Sequence, residues 1–341
     1  MRGESYVAVL DAATFEEKTR ILTPNGPGMT IFSPDGRFGY ICSSFTPEID
    51  VIDVAQHHLL ARLPQPSTFC PNIAASPDGK QVWITLKDVG KTMAFSAQPP
   101  FAILKTINTG PITNHVNFVR NRDGQFAYVS IGGLNEVQVY RTDDFSKVVS
   151  IPVGNLPHGE WPSGDGSRLY VGLENSDMLA VIDTLTNKVI ANVPIGQAPQ
   201  ALVFVPNAVP DGGGLANLQQ LGVAGRVAHL SLAPRGAMGA PPTSVSLFDQ
   251  GLVQVLQAAA TGLEPGQHYV FALSNHPDGS GELQSLAAFS ANPAGAAIVN
   301  AIGPIRQLVQ GKAYDRARYL VIALGTAEEV RDPVQVQTPG T

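Results

Sequence analysis

Along the first 206 residues, short apolar runs alternate with polar turn residues, and no run is long enough for an extended helix. One run closes on Asp: Val7–Asp11, Val51-Ile52-Asp53 and Val181-Ile182-Asp183, with Ser96 and Arg141 in the same place elsewhere. A turn of the form Ser33-Pro34-Asp35-Gly36 returns as Ser76-Pro77-Asp78-Gly79, as Asn121-Arg122-Asp123-Gly124 and as Ser163-Gly164-Asp165-Gly166. Each turn is followed by an aromatic inside an apolar run: Tyr40, Trp83, Tyr128 and Tyr170. Turns and aromatics keep the same spacings of 43, 45 and 42 residues, so separate landmarks share one period. Between landmarks the stretches are rich in Val, Ile and aromatics, the composition of strands bounded by tight turns.

One unit reads as four strands, Met29–Ser33, Phe38–Ser43, Ile49–Asp53 and Leu59–Leu63. Four strands in a repeat of about 40–45 residues predict the blade of a β-propeller. The order Val-Ile-Asp, apolar strand, Gly-x-x-Pro, Ser-Pro-Asp-Gly, then aromatic strand resembles the YVTN-type propeller repeat. The best stretch runs from Leu169-Tyr170-Val171-Gly172 through Ala180–Thr184 to Ile195–Pro199. Over residues 5–206 the chain is similar to the YncE-like bacterial propellers, a resemblance that implies about seven blades and a periplasmic or secreted location. About five blades' worth of repeats is present. First strands are expected near Pro27, Cys70, His115, Pro157 and Pro199, but there are only four second strands. Either the ring closes as five blades, one built from both ends of the repeats, or N-terminal blades are missing. The resemblance favours the second, and an open ring would allow self-association through blade edges.

The period ends at Pro206. Residues 207–224, with Asp211-Gly212-Gly213-Gly214, read as a linker. Residues 225–330 carry seven further strand-like runs: Val227–Leu232, Ser244–Phe248, Gln254–Ala258, Tyr269–Leu273, Ser285–Phe289, Ala297–Asn300 and Tyr319–Ala323. They predict a small antiparallel β-sandwich, with one helix over Ile302–Gln310 where the apolar spacing turns helical. Residues 331–341 are expected to fray. The fold class is therefore all-β, a propeller followed by a sandwich.

Composition narrows the function. Hydrophobic residues make up 44% and charged residues 15%, ample for a packed core. A net charge of −6 without basic runs argues against duplex nucleic acid as a partner. No apolar run suits a membrane-spanning helix. Two cysteines, Cys42 and Cys70, exclude a Cys-only zinc site, and they can pair only if the fold brings their Cα atoms within about 7 Å.

In a propeller the first strands line the central channel, and its mouth is the usual ligand site. The residues there are Asn72, His115, Asn117, His158, Glu160, Trp161 and Gln200. His158 and Glu160, two apart, would share a strand face. A carboxylate beside an imidazole orients it as a general base or metal ligand. His115, His158 and Glu160 are thus the candidates for a transition metal, although no cofactor is predicted. Counted from the preceding turn, His115 and His158 have opposite parity, so they converge only if one lies in an entry loop. The recurring Asp35, Asp78, Asp123 and Asp165, and Asp11, Asp53 and Asp183, are read as turn-capping residues rather than calcium ligands. No nucleophile elbow, phosphate loop or His-Glu-x-x-His motif is present. These observations favour a binding or scaffold protein that recognises a protein or small-molecule ligand at the channel mouth. The alternative is a lactonase-like hydrolase or metal-assisted redox enzyme with its site in the channel.

Overall fold

The computed structural model describes residues 3–208, 227–236, 242–309 and 317–339. It opens with a hairpin, β1 (Tyr6–Leu10) and β2 (Glu17–Leu22), which pairs with no other strand among the described residues. Four antiparallel four-stranded blades follow, each in sequential strand order. The first holds β3 (Pro27–Phe32), β4 (Phe38–Ser43), β5 (Glu48–Asp53) and β6 (His58–Pro64). The second holds β7 (Ile73–Ala75), β8 (Gln81–Leu86), β9 (Lys91–Ser96) and β10 (Ile103–Asn108). β11 (Thr113–Asn121), β12 (Gly124–Ile131), β13 (Glu136–Arg141) and β14 (Lys147–Pro152) form the third. The fourth comprises β15 (Pro157–Pro162), β16 (Arg168–Leu173), β17 (Met178–Asp183) and β18 (Lys188–Pro194).

The repeating residues build the blades and join them. Ser33 Oγ donates to Asp35 Oδ1 at 2.6 Å and accepts from Phe38 N at 3.0 Å, which closes the turn between first and second strands. Ser76 with Asp78 and Ser163 with Asp165 repeat the bond at 2.6 Å. Asp11, Asp53 and Asp183 accept from backbone N–H groups two or three residues on, as turn-capping carboxylates should. The aromatics of the second strands pack between blades. Tyr40, Trp83 and Tyr128 are fully buried. Tyr40 donates to Ala97 O in the next blade, Tyr128 to Asn187 Oδ1 in the next, and Trp83 packs on Phe118 and Tyr140.

Tyr170, the fourth of these aromatics, has no further blade beside it among the described residues. It stacks instead on Phe204, with ring planes 4° apart. Residues 199–205, expected as a fifth first strand, lie against the fourth blade but form no strand. A Cβ on Gly159 would come within 2.6 Å of Gln200 O, and one on Gly172 within 2.8 Å of Pro199 O. Glycine at both positions is what lets this segment lie flat on β15 and β16. The segment has no ladder because no strand flanks it, so it and the β1–β2 hairpin do not combine into a closing blade.

Of the predicted linker, residues 207–224, all but 207–208 lie outside the described residues. Beyond it lie β19 (Val227–Pro234), β20 (Thr243–Asp249), β21 (Gln254–Ala260), β22 (His268–Ser274), β23 (Leu283–Ser290), β24 (Ala297–Gly303), helix α1 (Ile305–Val309), β25 (Tyr319–Gly325) and β26 (Val330–Gln337). All seven expected strands are present. With β26 they form one eight-stranded antiparallel sheet, ordered β23-β22-β25-β26-β19-β20-β21-β24, which folds over on itself around Leu232, Leu247, Leu256, Phe271 and Ile322. Two expectations are corrected. The helix begins at Ile305, because Ile302 is still paired with Val255 in β24. The tail expected to fray from Arg331 is β26, which pairs with both β25 and β19 and bridges the two halves of the sheet.

The sheet domain sits on the blade ends where second strands turn into third strands. Asn175 Nδ2 donates to Ser244 Oγ at 2.8 Å, and Ser246 Oγ donates to Asn175 Oδ1 at 3.0 Å. His229 Nε2 meets Asp177 Oδ2 at 3.1 Å. Ile112 and Leu156 from the propeller pack with Ala259 and Ala296 in a small apolar seam.

Candidate functional site

Between the blade ends and the sheet domain lies a cavity of about 770 Å³. The propeller supplies Gly28, Met29, Ser44, Lys87, His158 and Glu174 to its wall, with Gln200 from the final segment. Opposite them stand Gln257, Ser290, Asn292 and Ile298 of the sheet domain.

Two positions, identified by strand register, bring residues to this cavity from the first, second and fourth blades. The residues facing Ile41, Ile84, Val129 and Val171 of the second strands are Thr30, Ile73, Val116 and Glu160. Two places earlier come Gly28, Pro71, Asn114 and His158. The residue just after each second strand is Ser44, Lys87, Gly132 or Glu174. His158 and Glu174 thus belong to the same blade end. His158 Nδ1 lies 2.8 Å from Glu174 Oε2, and Gln200 Nε2 donates to Glu174 Oε1 at 2.7 Å. Burial raises the Glu174 pKa, but bonds from His158 and Gln200 and the charge of Lys87 outweigh it and hold the carboxyl below its usual value. An ionised Glu174 can only accept, so the imidazole carries its proton on Nδ1 when neutral and leaves Nε2 as an acceptor. Among the described residues Nε2 has no partner.

His115 and His158 do converge, with ring centroids 5.1 Å apart and planes at 79°. Both lie within strands, not one in an entry loop. A bulge interrupts pairing between Thr113 and Val116 in β11, and another between Pro157 and Glu160 in β15. Each extra residue resets the alternation of faces, which simple parity misses. The same bulge parts Glu160 from His158, so the carboxylate that orients His158 is Glu174. Ser130 Oγ ties the two blades together, accepting from His115 N at 3.0 Å and donating to His158 O at 2.5 Å. Burial, then the neighbouring His158 and Lys87, push the His115 pKa down to about 3, so this ring is neutral at ordinary pH.

The remaining expected site residues have structural contacts. Asn72 Oδ1 accepts from Val116 N at 2.9 Å, and Asn117 Nδ2 donates to Glu160 O at 3.2 Å. Trp161 is partly exposed and does not line the cavity. Glu160 is buried with neither carboxylate oxygen hydrogen-bonded, and burial raises its pKa well above the ordinary value. Among the described residues no three His, Cys, Asp or Glu side chains lie close enough to share a metal ion. Lys87, Asp88, Glu174 and the sheet-domain wall escaped the sequence reading, which followed first strands only. The available signal was the residue after each second strand, spaced by the same period.

Glu160 yields a sharp expectation. Its raised folded pKa makes its stability contribution most favourable below the unfolded value and progressively lost as pH rises toward the folded value. Glu160→Met removes two orphaned oxygens and should stabilise the chain by roughly 1–3 kcal/mol at pH 8, and by less at pH 5. Urea unfolding at both pH values measures this. A variant less stable than wild type at both would show that the carboxyl is needed where it lies.

Fold and cavity define a propeller joined to a sandwich, with a pocket of mixed polar and apolar lining where the two meet. The chain matches no protein-family model and no curated protein in sequence. In structure it is similar to a chain titled Kuenenia stuttgartiensis hydrazine synthase, with a TM-score of 0.51 and 19% identity over 60% of this chain and 72% of that one. At that identity the likeness is one of fold.

Proposed function

We propose that this chain is an extracytoplasmic binding protein of the YncE-like, YVTN-repeat kind, holding a small molecule in the cavity between propeller and sandwich. The observation that carries this reading is the Gln200–Glu174–His158 chain of hydrogen bonds beside a cavity of about 770 Å³, the size of a small-molecule site. Walls on both sides favour a small ligand over a protein surface. The location outside the cytoplasm is supported by the disulfide between Cys42 and Cys70, the only cysteines in the chain. Ligand-detected NMR against a metabolite library tests the reading. Compounds that bind wild type should lose their signal with Met29→Trp, which fills the cavity from an exposed wall residue. Absence of any binder, or binders indifferent to that change, would overturn it.

One observation favours hydrolysis as a second reading. His158, oriented by Glu174 and open at Nε2, has the arrangement of a general base. Turnover of a lactone or aryl ester that disappears in His158→Gln would support it. The His115 and His158 rings, with Glu160 apart from both, do not form a metal-binding set, and no metal is part of the proposal.

A further inference from the structure

We infer that the ligand of this cavity is an organic monocarboxylate with an apolar body, and that Lys87 receives its carboxylate. This rests on the reading of the cavity as a ligand site. Lys87 follows β8 at the place that Ser44, Gly132 and Glu174 occupy in the other blades, so one blade of four brings a cation here. The cavity wall holds this lysine and no arginine.

No ion pair or hydrogen bond of the Lys87 ammonium is formed among the described residues. Its nearest anions do not serve as partners. Both oxygens of Glu174 are engaged by His158 and Gln200. Asp88 shares the turn without reaching Lys87, and its own carboxyl is raised by burial. Lys87 is half-buried at the cavity wall, and burial pushes its pKa down, so a contact partner for the ammonium would be favourable. An oxyanion in the cavity would supply that partner through charge-assisted hydrogen bonds. Asn292 adds a donor: its Oδ1 accepts from Ala294 N and Ala296 N, leaving Nδ2 without a partner among the described residues. One cation matches one negative charge rather than a phosphate dianion. Met29, Phe69 and Ile112 from the propeller and Ile298 from the sheet domain suit an apolar remainder.

Calorimetric titration with hexanoate and 3-phenylpropionate, their primary amides, and inorganic phosphate tests the inference on the full chain. The acids should bind at least about tenfold more tightly than their amides, the discrimination expected of a hydrogen bond to a charged group. Lys87→Met should abolish that preference while amide binding persists, and Lys87→Arg should retain part of it. Acid and amide binding equally well in wild type, phosphate binding more tightly than either acid, or an unchanged preference in Lys87→Met would each overturn the inference. If Lys87→Met does not fold, the acid–amide comparison in wild type and Lys87→Arg decides. Neutral library compounds lost with Met29→Trp, together with no acid preference, would leave the cavity reading standing and remove this one. Failure of both experiments would remove both.

Discussion

Replacing His115 with Asn should remove most of a steep acid-induced loss of stability. The folded ring has a pKa pushed down to about 3 from an ordinary 6.5, so folding favours the neutral form. A depressed histidine pKa contributes its full stability above pH 6.5 and loses it as pH falls toward the folded value. The slope is about 1.4 kcal/mol per pH unit inside that window, or roughly 3 kcal/mol between pH 7 and pH 4. Asp50 works in the opposite sense: burial, partly offset by Arg62, raises its pKa to about 6, so its penalty is relieved by acid. The informative quantity is therefore the difference between wild type and His115→Asn at each pH, from urea unfolding at pH 7, 6, 5 and 4. Asn is a fitting replacement because the second blade carries Asn72 at the equivalent register position. A difference that stays constant from pH 7 to pH 4 would mean that His115 is not the buried neutral group described.

Loss of the Cys42–Cys70 bond should cost about 3–4 kcal/mol, from the chain entropy released by opening a loop of 28 residues. Against a typical total of about 5–15 kcal/mol this is a large share. The bond joins β4 of the first blade to the segment leading into the second, and both cysteines are buried among Tyr40, Ile84 and Phe95. The double variant Cys42→Ala, Cys70→Ala isolates the crosslink without adding polar groups to that core. Its urea midpoint should fall below that of the oxidised wild type and match that of the reduced wild type. Equal midpoints for oxidised and reduced wild type would show that the crosslink does not constrain the unfolded chain.

The propeller was legible in sequence because a blade is made of local pieces. Ser-Pro-Asp-Gly turns, buried aromatics and Asp-ended strands sit at fixed distances, and the Ser–Asp turn bond recurs in three of the four blades. The strands of the sandwich were legible for the same reason. Features that depend on distant partners were hidden. β26 is masked by Arg331-Asp332-Pro333, and the structure accommodates Pro333 where the pairing with β25 changes register. The bulges that turn His115 toward His158 carry no mark in composition. The Cys42–Cys70 pairing depends on how two blades pack. His158 and Gln200 could be anticipated from the blade period, but Glu174 and Lys87 stand on turns whose significance appears only once the sheet domain covers them. Nothing in the local pattern of residues 290–298 announces that they face a propeller.

The shared wall has a thermodynamic consequence. Asn175, Asp177 and the Ile112–Leu156 seam are the propeller's side of the contact, while Ser244, Ser246, His229 and Ala296 are the sandwich's. A molecule held between Lys87 and Asn292 would touch both sides at once, so its binding free energy would add to the adhesion of the two domains. Bound ligand should therefore draw the unfolding of the two domains toward one cooperative step.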